Sequence, residues 1–142
     1  MQLSPRELHA EWEKGRFRPV YYLFGDEIAA KADAVLRLKA LFKPDDFNLR
    51  EFSGDPDFEA PAIVAECLTL PVFADRRLVL ARNPKLPASA RAIIAEYLKS
   101  PSASTTLVLL SDEKRPNKKG DALADAAGAA GAVAIFSPLT HE

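Results

Sequence analysis

The sequence has few of the side chains that build metal centres and covalent cross-links. It contains one cysteine, Cys67, and two histidines, His9 and His141, which lie near opposite ends of the 142 residues. One cysteine cannot form an internal disulfide, and two distant histidines are not the pattern of a structural metal site or a catalytic triad. We therefore expect no metal site, no catalytic residues and no cofactor.

The sequence also lacks an excess of charge of either sign. Its 19 Lys and Arg residues and 20 Asp and Glu residues give a formal net charge of -1. A domain that binds duplex DNA through the phosphates usually carries a basic excess, so this chain is a poor candidate for binding DNA alone. No apolar run approaches the ~20 residues of a membrane span, and the start does not resemble a signal peptide. We expect a soluble cytoplasmic protein without a membrane partner.

The composition that remains is that of a globular protein. Hydrophobic residues make up 48% of the chain and charged residues 27%, which excludes disorder for most of it. A length of ~100–150 residues is typical of one domain. We therefore interpret residues 1–142 as a single domain with its own hydrophobic core.

Apolar runs and segments of helical periodicity alternate along the chain. The runs predict five strands, at 19–24, 47–52, 77–81, 105–110 and 132–136. The periodic segments predict helices at 5–14, 27–41, 57–68, 88–99 and 121–127. This alternation is typical of an α/β fold in three layers, with a five-stranded, mostly parallel sheet and helices on both faces.

Two of these helices carry finer expectations. The apolar side of the 27–41 helix is expected to contain Ile28, Val35, Leu38 and Leu41. Lys31 is then a solvated helix lysine. The alanine-rich helix at 121–127 is expected to end at Gly128, because glycine commonly follows the last helical residue.

The turn after the first strand resembles a phosphate-binding loop in part. Gly25 and Lys31 fit the pattern G-x-x-x-x-G-K-[ST], but Ala30 replaces the second glycine and Ala32 has no hydroxyl for magnesium. The two residues after Gly25 are acidic, which opposes phosphate binding. We interpret 25–32 as a degenerate P-loop, and a small nucleotide-binding ATPase that uses Lys31 stays as an alternative.

A second alternative depends on the basic segment 114–119. It contains Lys114, Arg115, Lys118 and Lys119, which suit a nucleic-acid-binding module. It has no aromatic side chain on which bases could stack. A solvated loop is the simpler interpretation, and the balanced charge of the whole chain favours it.

The connection before the third strand is unusually apolar. It contains Leu70, Val72 and Phe73, although a segment that only turns the chain is normally polar. These side chains either pack down onto the sheet or stay exposed as anchors that dock a partner protein. The sequence pattern leaves both possibilities open.

Three blocks of sequence, taken in order, resemble a known family. They are residues 19–27 (PVYYLFGDE), 70–80 (LPVFADRRLVL) and 105–110 (TTLVLL). Together with the N-terminal helix and the spacing of the blocks, they are similar to the N-terminal domain of the DNA polymerase III delta subunit, a subunit of the bacterial clamp loader. The resemblance covers nearly the whole chain.

The resemblance implies a fold and a function. The fold is a RecA-like domain of the AAA+ type that has lost its nucleotide site. The function is to bind the sliding clamp, the beta subunit, and to help open its ring during DNA replication, as a non-catalytic accessory subunit of the DNA polymerase holoenzyme. By position, the clamp-binding pair is Val72 and Phe73, with Leu70 in support; the family often has leucine at the place of Val72.

The resemblance also implies what lies outside this sequence. Family members continue into a small helical domain and a collar domain, so the chain looks like an excised first domain. Other loader subunits would be partners of the full-length protein and would hydrolyse ATP. DNA would be contacted only through the assembly.

Overall fold

The computed structural model describes residues 1–43, 48–52, 60–82, 88–111, 113 and 122–137. Its strands are β1 (Val20–Phe24), β2 (Leu49–Phe52), β3 (Arg77–Arg82), β4 (Thr105–Leu110) and β5 (Ala132–Ile135). Its helices are α1 (Pro5–Glu13), α2 (Ile28–Phe42), α3 (Ala60–Leu68), α4 (Ala88–Leu98) and α5 (Ala122–Ala130). Helices and strands alternate along the chain, as the apolar pattern predicts.

The five strands form one sheet in the order β2-β3-β4-β1-β5, and every pairing is parallel. All strands therefore begin at one edge of the sheet, the amino edge, and end at the other, the carboxyl edge. β1 lies between β4 and β5, with Tyr22 opposite both Leu109 and Val133. β2 is the outermost strand on the β3 side of the sheet, a position that suits its mixture of polar and apolar residues.

Helices cover both faces of the sheet and give three layers. Successive side chains of a strand point to opposite faces. Leu107 and Leu109 accordingly pack in one core cluster with residues of α3, α4 and α5. Val108 and Leu110 pack in the other with residues of α1 and α2. The predicted three-layer α/β fold is confirmed.

The first helix begins where its capping residues place it. Ser4 Oγ accepts a hydrogen bond from the Glu7 amide at 3.2 Å, and Glu7 Oε1 accepts one from the Ser4 amide at 3.0 Å. This reciprocal pair satisfies two amides at the helix start. Trp12 of α1 then packs edge-on against Tyr21 of β1, with ring centroids 5.4 Å apart, which holds α1 on its face of the sheet.

The prediction for the apolar side of α2 is partly wrong. Val35 and Leu38 are buried, but Ile28 and Leu41 are exposed. Lys31 is buried rather than solvated. It precedes Val35 by four residues and Leu38 by seven, a spacing that places all three on one face of a helix. None of the helices in the described ranges is long and apolar enough to cross a membrane.

The prediction that Gly128 ends the last helix is also wrong. α5 continues through Gly128 to Ala130. A Cβ at Gly128 would lie 3.2 Å from the backbone nitrogen of Met1, and one at Gly131 would lie 1.9 Å from the Val20 carbonyl oxygen. Gly128 therefore accommodates the first residue of the chain, and Gly131 accommodates the close approach of the turn into β5 to β1.

Candidate protein-docking site

Exposed apolar side chains occur together at the amino edge of the sheet. Residues 69–76, here called the 69–76 loop, connect the end of α3 to the start of β3. The exposed fraction is 75% for Leu70, 39% for Val72 and 100% for Phe73. Leu68, the last residue of α3, is exposed as well. The alternative in which these side chains pack onto the sheet is therefore wrong.

The backbone of Phe73 has an uncommon conformation. Its φ is +55°, in the left-handed region that costs a residue with a side chain roughly 1–2 kcal/mol. Because the ring is fully exposed, packing of the side chain cannot offset that cost. Strained residues of this kind persist where their surroundings fix them, and they concentrate at functional positions.

A buried asparagine from another element fixes the loop next to Phe73. Asn48, directly before β2, is fully buried. Its Oδ1 accepts a hydrogen bond from the Val72 amide at 2.7 Å, and its Nδ2 donates one to the Val72 carbonyl at 2.8 Å. The Asn48 carbonyl accepts a bond from the Leu78 amide of β3 at 2.8 Å. The Asn48 side chain thus attaches the middle of the 69–76 loop to the sheet.

Both ends of the 69–76 loop are anchored too. Thr105 Oγ1 of β4 donates to the Cys67 carbonyl at 3.0 Å, which holds the end of α3. Arg77, at the start of β3, forms an ion pair with Glu66 of α3, and its Nη2 lies 2.6 Å from Glu66 Oε1. Burial raises the pKa of the Cys67 thiol to about 12, so this cysteine is a core residue rather than a nucleophile. The loop therefore extends from rigid supports.

Charged side chains border the exposed apolar group. Asp75 and Arg76 are exposed and follow Phe73 closely in sequence. The Arg76 guanidinium lies over the ring of Phe17 at 5.6 Å and donates through Nη1 to the Phe17 carbonyl at 3.3 Å. Apolar side chains with a polar surround are the usual composition of a protein-binding surface.

The phosphate-loop-like turn lies at the opposite edge, after β1. The Gly25 amide donates to the Glu113 carbonyl at 2.7 Å, and the Glu27 amide donates to the Phe136 carbonyl at 3.3 Å. In a phosphate loop such amides face the ligand. A Cβ at Gly25, whose φ is +113°, would lie 1.8 Å from the Phe136 carbonyl oxygen. The close approach of the Phe136 backbone is therefore enough by itself to explain why residue 25 is a glycine.

The lysine of that turn also bonds to the chain itself. Lys31 Nζ donates to the carbonyl of Ser111, just after β4, at 2.6 Å. This contact explains why Lys31 is buried, contrary to the prediction of a solvated side chain. A hydrogen bond from a charged donor to a partly buried carbonyl is a strong one. Lys31 thus ties the start of α2 to the end of β4.

Sequence reasoning located the apolar residues of the 69–76 loop but missed Asn48. Asn48 falls inside the strand predicted at 47–52, and one polar residue in a strand of mixed polarity does not indicate a contact with a distant loop. The spacing of Lys31 with Val35 and Leu38 could have indicated that the lysine is buried. The basic segment 114–119 lies outside the described residues. Within the described ranges, no group of three or more His, Cys, Asp or Glu side chains could hold a metal ion.

Comparison of the sequence with known proteins gives a consistent result. The model of the family described as DNA polymerase III, delta subunit, matches residues 21–130. The DNA polymerase III subunit delta of Bacillus subtilis (strain 168) is 29% identical over 119 residues, which cover 75% of this chain and 34% of that protein. The chain thus spans about a third of the length of this curated relative.

Solved structures share the fold. The Bacillus subtilis DNA clamp loader delta protein superposes with a TM-score of 0.79 at 24% identity, over 96% of this chain and 43% of that one. A Thermotoga maritima protein related to the DNA polymerase III gamma subunit superposes with a TM-score of 0.61 at 17% identity, over 95% of this chain and 46% of that one. The three-layer α/β architecture with a five-stranded parallel sheet is therefore shared with both structures.

Proposed function

The chain belongs to the DNA polymerase III delta subunit family, and on that premise we propose that it binds the replicative sliding clamp through the 69–76 loop and helps to open the clamp ring. Phe73 and Val72 enter an apolar pocket of the clamp, and Leu70 adds a further contact. One observation carries the proposal: Phe73 is fully exposed, yet its backbone is held in a strained conformation.

The energetics suit an anchor of this size. Burying a fully exposed Val, Leu or Phe side chain contributes roughly 1.5–3 kcal/mol each, so Phe73 and Val72 together supply at most roughly 3–6 kcal/mol, because Val72 is already partly buried in the free chain. Ordering a flexible loop on binding would cancel part of that gain. The anchored ends of the 69–76 loop and the two bonds to Val72 reduce this cost, because the loop is already ordered before binding.

Opening the ring requires differential binding. A ligand shifts an equilibrium between two states only by the difference in its affinity for them. The chain must therefore bind the open form of the clamp more tightly than the closed form. The apolar residues provide affinity for the clamp, and contacts made by the charged border, Asp75 and Arg76, can depend on the geometry of the nearby ring interface.

Wider roles of the family are part of the same proposal. The chain acts as a non-catalytic accessory domain in a loader whose ATP is hydrolysed by other subunits. It spans less than half the length of the solved delta protein that it resembles. Assembly with other loader subunits, and contact with DNA through that assembly, are accordingly proposed for a delta subunit of the full family length, of which this chain matches a part.

A titration with the purified sliding clamp of the same organism tests the proposed function. We expect saturable binding in the micromolar range. Binding is measured by the fluorescence of a label placed away from the 69–76 loop. Faster exchange of subunits between clamp rings in the presence of the chain would report opening. Absence of saturable binding up to about 100 µM would contradict the proposal.

We also expect no binding of ATP in the micromolar range. Ala30 and Ala32 remove the second glycine and the magnesium hydroxyl of a phosphate loop. The amide of Gly25 and the ammonium of Lys31 already donate to carbonyls of the chain. Calorimetry with ATP and magnesium should give no heat beyond dilution. Micromolar binding would instead favour the small nucleotide-binding ATPase.

A further inference from the structure

We propose that Asn48 is a positioning residue for clamp docking, which it serves by holding the backbone of Val72 so that Phe73 projects into solvent in its bound conformation. The inference deepens the proposed function of the 69–76 loop and rests on it. Asn48 itself is fully buried and touches the partner only through the loop that it holds.

The two hydrogen bonds act on the peptide groups that flank Val72. The Asn48 amide bonds to the Val72 N–H at 2.7 Å and to its carbonyl at 2.8 Å, much as a neighbouring β-strand would. The Val72 carbonyl belongs to the peptide bond that leads into Phe73. Fixing that peptide fixes the starting orientation from which the Phe73 backbone turns to a φ of +55°.

Asparagine suits this position for a chemical reason. Its side chain offers one acceptor and two donors on a short, planar group, which matches one N–H and one C=O of a single residue. Aspartate has nearly the same shape, but an ionised carboxylate would place an acceptor against the Val72 carbonyl. Because the site is buried, water does not readily replace a lost bond.

The exposure of Phe73 makes the support from Asn48 necessary. A fully exposed ring has no packing that could hold its own backbone in the left-handed region. Without the two bonds to Val72, the loop can relax to other conformations. If only about a tenth of the molecules keep the competent conformation, the apparent Kd rises about tenfold.

The test compares Asn48→Ala and Asn48→Asp with a matched control, Ser111→Ala. The Ser111 hydroxyl also accepts a bond from a backbone amide, that of Glu113 at 3.1 Å, but Ser111 follows β4 at the carboxyl edge of the sheet, opposite the 69–76 loop. We expect both Asn48 variants to bind the purified sliding clamp about tenfold more weakly and the control to stay within about twofold, at temperatures where circular dichroism shows each variant folded.

A double-mutant cycle separates positioning from general stability. If Asn48 acts through Phe73, then Asn48→Ala weakens binding by the Phe73→Ala variant clearly less than the tenfold expected in the unchanged chain, and the remaining loss comes from the contact of Val72. Hydrogen exchange gives a second readout. The Val72 amide should exchange faster in the Asn48 variants, while the amides of β4 keep their protection. A merely structural role would speed exchange throughout the sheet.

The outcomes distinguish the two proposals. Unchanged binding by Phe73→Ala overturns clamp docking by this loop and, with it, the role of Asn48. Weakened binding by Phe73→Ala, together with normal binding by folded Asn48→Asp, overturns positioning and leaves docking in place. Equal losses from Asn48→Ala with and without Phe73 also overturn positioning. If Asn48→Ala does not fold, the isosteric Asn48→Asp variant carries the affinity and exchange measurements.

Discussion

Replacing Phe73 with alanine is expected to weaken binding of the sliding clamp by about 2 kcal/mol or more, roughly thirtyfold in Kd. The free energy of unfolding should change by less than about 0.5 kcal/mol, because the ring is fully exposed in the free chain. Alanine keeps the Cβ, so the strain of the left-handed backbone is nearly the same in both chains. A clamp titration and a urea melt measure the two effects separately.

Leu36→Ala is the matched control for that experiment. Leu36 is also a large exposed apolar side chain, but it lies on α2, away from the 69–76 loop in sequence and layer. Its replacement should change neither clamp affinity nor stability. If Phe73→Ala instead lost about 3–5 kcal/mol of stability and bound the clamp normally when folded, Phe73 would be a core residue and not an anchor.

Replacing Leu109 with alanine should lower the free energy of unfolding by about 2–5 kcal/mol. Leu109 is fully buried in β4, where it lies opposite Tyr22 of β1 and Ala81 of β3. Its side chain faces the layer of α3, α4 and α5. The truncation leaves a cavity that strands paired on both sides cannot easily close. Urea melts of the two chains measure the loss.

Leu36→Ala serves here as well, since it is the same chemical change at an exposed site. The difference between the two leucine variants isolates the effect of burial from that of side-chain identity. A loss below about 1 kcal/mol for Leu109→Ala would contradict the placement of β4 at the centre of the sheet. Clamp affinity of the folded variant should stay normal, because Leu109 lies near the carboxyl end of β4, whereas the 69–76 loop lies at the amino edge of the sheet.

Local pattern was sufficient to predict the strands. The run 105–110 is apolar or β-branched at every position and has the bounds of β4. Simple alternation along a strand predicts Leu107 and Leu109 on one face and Val108 and Leu110 on the other, and this is the arrangement observed. The end of α5 could not be predicted in this way. There the packing of Met1 against Gly128 overrides the usual preference for glycine after a helix.

The exposure of the 69–76 loop could not be predicted from its own residues. Leu70, Val72 and Phe73 have the composition of a buried segment as much as that of a docking site. Asn48, which contributes to the loop conformation, precedes Val72 by 24 residues. Burial of Lys31 depends likewise on Ser111, 80 residues further along. Such contacts exist only after the sheet has formed, so local sequence patterns do not contain them.

The position of β1 in the sheet has a consequence for synthesis on the ribosome. Its partners are β4, which begins at Thr105, and β5, which begins at Ala132. At about 5–20 residues per second, several seconds pass between emergence of β1 and emergence of its first partner. During that interval the run Val20–Phe24, buried at every position once folded, is an unpaired apolar segment. Slow translation between β1 and β4 therefore lengthens the time in which nascent chains can join one another or bind a chaperone.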